Sequence, residues 1–236
     1  MKKRFLFPMR RHEAVGGWIY LPVHAFILPP LLILLNARLL PSLSIDALTD
    51  ANLNLLYYAV SFIIVFAILF RYLTSSFSDL IDNLWPALAG VCLGYILYYI
   101  GTYAVNLLIY FLNADTVNPN TEQINEAVRL NVNMMKAVGV CLAPIVEESL
   151  FRGVVFGTIR KRSRAAAYII SVLLFAFYHL WSFFLSDFDW KLFLYILQYI
   201  PASVALAWCY EHGRSIWAPI FLHMLVNFIS ISISFG

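Results

Sequence analysis

The chain has 236 residues, of which 62% are hydrophobic and 12% are charged. Charged residues make up about a quarter of an ordinary soluble domain, so this composition cannot cover a water-facing surface. A soluble globular enzyme and a disordered chain are therefore excluded, and the small net charge of +3 argues against nucleic-acid binding. The length predicts a single polytopic membrane domain that comprises residues 1–236.

Seven apolar stretches are long enough to span a bilayer, which takes about 20 predominantly apolar residues in a helix. The sequence therefore predicts an all-α membrane protein, a bundle of about seven transmembrane helices. Pro29 and Pro30 should kink or break the first helix, and residues 74–84 favour a short amphipathic segment at the interface or a loop. The predicted spans are residues 17–39, 53–70, 85–112, 130–159, 165–185, 192–210 and 216–235.

Basic residues are concentrated on one side of this predicted bundle. Eleven Lys and Arg fall in the N-terminal arm and the loops on its side, against four toward the other side. Because positively charged loops stay inside, this bias predicts a cytoplasmic N-terminus and an external C-terminus. The longest polar connection, about residues 113–129, is then expected outside the cell.

The fourth predicted span carries two adjacent glutamates and an arginine. Ionisable side chains within a span are costly and face the bundle interior, so each is a functional candidate. Glu148 and Arg152 are four residues apart and can pair on one helix face. Glu147 is rotated about 100° away and has no partner at i+3 or i+4 on its own helix. The pattern predicts one neutralised carboxylate and one free to act as a base; alternatively, both glutamates hold helices together with Arg152.

Two further spans carry polar groups that could join these carboxylates. His223 and Asn227 share a face of the seventh span, and both can donate hydrogen bonds to a developing oxyanion. A polar pair that joins two helices through inter-helix hydrogen bonds is equally compatible with this spacing. His179 in the fifth span, taken alone, indicates a packing hydrogen bond, and His24 in the first span is also expected to have a packing role.

The depth of these groups ties them together. Counted from the basic residues at the cytoplasmic helix ends, Glu147, His179 and Asn227 each lie roughly 20 Å deep, and His223 lies one turn shallower. Four polar groups from three helices are therefore expected to meet in one layer of the membrane.

Three motifs occur in a fixed order within about residues 130–235, each on its own span: EExxxR at Glu147–Arg152, FxxxH at Phe175–His179 and HxxxN at His223–Asn227. This combination resembles the CAAX prenyl endopeptidase and bacteriocin-processing (CPBP) family of intramembrane proteases. The first three spans resemble that family only in being membrane helices.

The resemblance implies an intramembrane endopeptidase that needs no cofactor and is embedded, with multiple spans, in a bacterial cell membrane. It implies a membrane-associated peptide or protein as substrate, which in eukaryotic members is prenylated at a CAAX cysteine. The implied catalytic residues are Glu147 and His179, which activate a water, and His223 and Asn227, which stabilise the oxyanion; Glu148 and Arg152 support them.

Two alternatives stay open at this stage. Glu147, His179 and His223 could instead hold a catalytic zinc ion, since two histidines and a glutamate form a known zinc set. The chain has no HExxH helix, and asparagine is a poor zinc ligand, so a metal-free mechanism is favoured. The second alternative is a non-catalytic membrane protein for transport or bacteriocin immunity, in which buried carboxylates and histidines are equally apt.

Overall fold

The computed structural model describes residues 9–112, 118–186 and 188–235. These residues form nine helices and no strand, so the predicted all-α membrane protein is confirmed. The helices, numbered in chain order, are α1 (Arg11–Ser42), α2 (Asp50–Asp82), α3 (Leu84–Phe111), α4 (Pro119–Leu130), α5 (132–160), α6 (Arg164–Tyr178), α7 (Trp181–Ser186), α8 (Lys191–Gly213) and α9 (Trp217–Phe235).

Among the helices of the described residues, five are long and apolar enough to cross a membrane, namely α1, α2, α3, α8 and α9. The other two predicted spans correspond to α5 and to the pair α6–α7. Helix α5 is continuous but alternates between α-helical and π-helical segments, and α6 ends at Tyr178, one short turn before α7 begins. The site residues of these two spans therefore lie on irregular helices.

Helix α1 passes Pro29 and Pro30 without a break. A π-helical segment, Val23–Ile27, comes directly before them, and α-helix resumes at Leu28. A proline lacks the backbone N–H and crowds the preceding turn, so a wider turn at this point accommodates both rings. The predicted interruption is thus present as a π segment instead of a break.

Residues 74–82, predicted as a short amphipathic segment at the interface or a loop, are helical and belong to the part of α2 that follows a kink. The loop alternative is therefore wrong, and the interfacial position of this segment stays a prediction. The helix bends at Leu69, whose φ of −107° and ψ of 15° leave the helical region. The buried carboxylate of Glu13, in α1, accepts the backbone N–H of Tyr72 at 2.9 Å. This side chain therefore satisfies a backbone donor just after the bend and joins α1 to α2.

The polar connection predicted at residues 113–129 contains a helix, α4; the first five residues of that connection lie outside the described part of the chain. Asn118 caps α4 by accepting the backbone N–H of Asn120 at 3.0 Å. The two asparagines also bind α8, because Asn118 donates to Gln198 and Asn120 donates to the hydroxyl of Tyr199, both at 2.8 Å. Helix α4 is thereby fixed against α8.

Helix α5 makes close contacts with its neighbours at Gly153 and Gly157. A Cβ added at Gly153 would lie 3.0 Å from the ring of Tyr72, and one at Gly157 would lie 3.1 Å from the hydroxyl of Tyr210. The two hydroxyls are 2.7 Å apart and hydrogen-bonded. The absence of side chains at the two glycines therefore lets α2 and α8 meet across α5.

An ion-pair cluster joins α5, α6 and α8 at the end that the charge bias places in the cytoplasm. Glu211 of α8 accepts from Arg160 at 2.7 Å, from Arg164 at 2.9 Å and from the hydroxyl of Tyr168 at 2.8 Å. The helix that carries Glu147, the helix that ends just before His179 and α8 are thus tied together at one end.

Candidate active site

Glu147 and Glu148 lie where α5 changes its helical type. They end the α-helical segment Ala143–Glu148, and the π-helical segment Ser149–Phe156 follows. π segments inside α-helices are frequent at functional sites because they change the direction in which successive side chains point. Both glutamates and Arg152 are buried, Glu148 and Arg152 completely.

Arg152 has the partner that the spacing predicts. Its Nη1 lies 3.1 Å from Oε1 of Glu148. Its Nη2 donates to the backbone oxygen and to Oγ of Ser203 in α8, at 3.1 and 2.9 Å, and the guanidinium lies 4.1 Å from the ring centroid of Phe175. Because a buried charge is tolerated when it is paired and hydrogen-bonded, these contacts hold Glu148 and Arg152 as an ion pair.

The same oxygen of Glu148 also binds His223. Nδ1 of the imidazole lies 2.8 Å from Oε1 of the carboxylate. An ionised carboxylate can only accept hydrogen bonds, so Nδ1 carries a proton. The other ring nitrogen, Nε2, is then an acceptor in neutral His223 and becomes a donor only in the imidazolium form.

Glu147 faces the second histidine across a wider gap. Its Oε2 lies 3.9 Å from Nε2 of His179. The histidine directs Nδ1 to the backbone oxygen of Phe175 at 2.8 Å, and a carbonyl oxygen only accepts, so Nδ1 is protonated and Nε2 keeps its lone pair. Tyr199 stacks on the imidazole with ring centroids 4.6 Å apart. Both the tautomer and the orientation of His179 are therefore fixed.

Tyr58 of α2 is a site residue that the sequence interpretation missed. Its hydroxyl donates to Oε1 of Glu147 at 2.7 Å. The sequence contains a signal, since Tyr57 and Tyr58 place two phenols side by side within an apolar span. Which glutamate a phenol reaches depends on the packing of α2 against α5, and periodicity along one helix does not report that packing.

Asn227 is held by a different part of α5. Its Nδ2 donates to the backbone oxygen of Gly139 at 2.7 Å, within the π segment Ala137–Leu142. Gly139 precedes Glu147 by about two helical turns. The structure thus brings Arg152, His179 and His223 to the carboxylates of Glu147 and Glu148, while one N–H of Asn227 is engaged by the backbone. The oxyanion role of Asn227 stays a prediction.

The zinc alternative does not fit the arrangement of donors. Over the three described ranges, no group of three His, Cys, Asp or Glu side chains is placed so that it could hold a metal ion. Glu147, His179 and His223 accordingly do not form a ligand set in this geometry. We derive no step through a metal, and a metal-free reaction stays a prediction.

Comparison with known proteins agrees with these motifs. Residues 130–229 match the family described as "Type II CAAX prenyl endopeptidase Rce1-like", a region that contains all six predicted site residues. The resemblance to the CPBP family is confirmed. Together with the membrane-spanning helices, it makes the chain an integral, multi-pass membrane protein.

Two curated relatives each match about half of the chain. The "Putative membrane peptidase YdiL" of Bacillus subtilis is 28% identical over 119 residues, which are 50% of this chain and 44% of that protein. The "UPF0177 protein YxdF" of Lactococcus lactis is 28% identical over 131 residues, 53% of this chain and 67% of that protein. The chain thus matches less than half the length of the first relative. No solved structure matches the chain significantly.

Proposed function

We propose that the chain is an intramembrane endopeptidase in which Glu147 and His179 activate a water for attack on a peptide bond. The observation that carries the proposal is the 3.9 Å separation of Glu147 Oε2 and His179 Nε2. This separation is too long for a direct hydrogen bond, yet one water at about 2.8 Å from each atom would bond to both at nearly a right angle. Both atoms are acceptors, so each would receive one of the two water protons.

That arrangement leaves a lone pair of the water oxygen free to attack. As the bond from oxygen to the carbonyl carbon forms, Glu147 takes one water proton as general base, while His179 holds the second proton and orients the water. Collapse of the tetrahedral intermediate breaks the bond from carbon to nitrogen. Glu147 then returns its proton to the leaving amine, so protons balance over the cycle.

His223 is suited to stabilise the oxyanion when it is protonated. Its Nδ1–H would stay on Glu148, and its Nε2–H would donate to the negative oxygen of the intermediate. Arg152 and Ser203 keep Glu148 in place for this task. We assign Asn227 as the other donor to the oxyanion. One of its side-chain N–H groups donates to the backbone oxygen of Gly139, and the second is the one that would donate to the oxyanion.

The substrate class follows from the site's position and from the family. The carboxylates lie within a bundle of membrane helices, so the scissile bond has to reach them from a membrane-associated peptide or protein. The match to the CAAX prenyl endopeptidase family supports a prenylated CAAX-like peptide as one such substrate. The bilayer is then part of the binding site, because a lipid-linked or apolar segment would enter from it.

Mass spectrometry of membrane peptides tests this function. Peptides are compared between cells that carry the natural chain and cells that carry Glu147→Gln at equal protein levels. We expect fragments with new termini that depend on Glu147. Identical peptide sets in both cells, or bacteriocin immunity that persists in Glu147→Gln, would instead favour a non-catalytic membrane protein.

A further inference from the structure

A buried polar cluster extends from the site into α1 and α2. Its innermost member is His24, which lies in the π segment of α1 and has no solvent exposure. Nε2 of His24 lies 3.1 Å from the hydroxyl of Tyr178, and Nδ1 lies 3.0 Å from the hydroxyl of Ser61. Tyr178 directly precedes His179, and its hydroxyl is 3.5 Å from that of Tyr58. These contacts link His24 to the tyrosine that binds Glu147.

The expected packing role of His24 therefore describes only part of its surroundings. The stacked ring of Tyr57, with its centroid 4.9 Å away, covers one face of the imidazole. The Tyr57 hydroxyl donates to the backbone oxygen of His24 at 3.0 Å and lies 3.1 Å from the hydroxyl of Tyr178. The histidine is thus held in place by several hydrogen bonds and not by apolar contacts alone.

One assignment of protons gives the path from His24 to Tyr58 a direction, and it leaves the 3.1 Å contact between the hydroxyls of Tyr57 and Tyr178 without a proton. The Tyr58 hydroxyl has a single proton, which it donates to Glu147, so its oxygen is free to accept from Tyr178. Tyr178 then accepts from Nε2–H of His24, and Nδ1 of the imidazole accepts from Ser61. Every donor from His24 to Tyr58 points toward the carboxylate, and bonds aligned in this way polarise one another.

We propose, on the basis of the proposed function, that Tyr58, Tyr178 and His24 are positioning residues for Glu147. Tyr58 occupies Oε1 and fixes the rotation of the carboxylate, so that Oε2 is the atom that faces Nε2 of His179. Tyr178 and His24 act through Tyr58 by holding its hydroxyl in the donating orientation. None of the three contacts the reacting atoms in this scheme.

The proposal gives α1 and α2 a part in the site. His24 and Tyr58 both lie outside residues 130–229, the region that matches the CPBP family. A partial rotation of the Glu147 carboxylate would move Oε2 too far from the proposed water to bind it. Because misplacement of a catalytic group by about 1 Å can reduce a rate about a hundredfold, a phenol on the opposite oxygen is a strong constraint.

Infrared difference spectroscopy on the purified full-length protein tests the contact without any substrate. The difference between the natural protein and Glu147→Gln isolates the carboxylate stretching bands of Glu147, and the same subtraction is made in a Tyr58→Phe background. We expect Tyr58→Phe to shift these bands, and Tyr178→Phe and His24→Phe to shift them less. The control is Tyr72→Phe, which removes another buried tyrosine hydroxyl of α2 that pairs with Tyr210 instead.

Peptide cleavage gives the second measurement. In membranes, we expect Tyr58→Phe to lower the yield of Glu147-dependent fragments about tenfold or more, since a hydrogen bond to a charged group is lost, and Tyr72→Phe to leave it within about twofold. Bands unchanged in both Tyr58→Phe and Tyr178→Phe would overturn the inference even if peptides are cleaved. Shifted bands without any Glu147-dependent fragments would instead support the contact and contradict the proposed protease function.

Discussion

Nδ1 of His223 lies 2.8 Å from Oε1 of Glu148, whereas the neighbouring glutamate, Glu147, faces His179 across 3.9 Å. The two adjacent carboxylates of α5 therefore serve different histidines. Glu148 is bonded to both His223 and Arg152, which fits a supporting residue. Glu147 keeps one oxygen on the side of His179, which fits the base in the proposed reaction.

Glu148→Gln should destabilise the protein. The substitution leaves Arg152 as a buried charge without its carboxylate partner, and breaking a buried ion pair on one side costs about 3 kcal/mol or more. We expect a lower unfolding temperature in detergent and less folded protein in the membrane. Glu147→Gln is the matched control, since it removes a neighbouring carboxylate that is not paired with Arg152. Equal unfolding temperatures for the two variants would contradict the supporting role of Glu148.

Arg152→Lys should be nearly as harmful, although it keeps the positive charge. A lysine cannot bind Glu148 through one nitrogen and Ser203 through a second, nor does its ammonium stack on Phe175 as a planar guanidinium does. We expect a loss of about 2 kcal/mol in the free energy of unfolding. Ser203→Ala removes a single hydroxyl contact and should cost about 1 kcal/mol. Equal stability of Arg152→Lys and the natural protein would show that charge alone suffices.

Asn227→Ala separates the two roles that are open to this residue. If its second N–H stabilises the oxyanion, the turnover rate falls about a hundredfold, while stability falls by only about 1 kcal/mol for the lost bond to Gly139. Turnover is measured as the yield of Glu147-dependent fragments per folded protein. A stability loss with an unchanged yield would assign Asn227 to helix packing alone.

Strong chelators should leave cleavage intact. The proposed water activation uses an oxygen of Glu147 and a nitrogen of His179, and no step passes through a metal. The measurement is the rate of fragment formation in purified, reconstituted protein before and after dialysis against a chelator. Inactivation that added zinc reverses would revive the metalloprotease alternative, with Glu147, His179 and His223 as its ligands.

Residue spacing along one helix predicts contacts within that helix, but it does not predict contacts between helices. The pairing of Glu148 with Arg152 follows from their separation of four residues. The contact of Glu148 with His223 depends on the placement of α9 against α5, so depth counting brings the two near one another without specifying a hydrogen bond. The contact of Tyr58 with Glu147 could not be predicted from the sequence at all, since α2 carries none of the three motifs.

Local irregularities of the helices could also not be predicted from the sequence. Apolar periodicity predicts continuous spans, yet Glu147 and Glu148 lie beside a π segment and His179 lies just beyond the end of α6. Hydropathy does not distinguish a π turn from an α turn, because both bury the same residues. The polar side chains of residues 74–82 indicated an interfacial segment or a loop, and the backbone of these residues is helical beyond the kink at Leu69.

The most direct test of the central claim is cleavage by purified protein in lipid vesicles, with Glu147→Gln compared against the natural chain on a peptide found by mass spectrometry. The substitution preserves the size of the side chain and its ability to accept from Tyr58, but removes the base. We expect cleavage to fall to background while the unfolding temperature changes little. Cleavage by Glu147→Gln at a rate near that of the natural protein would contradict the account.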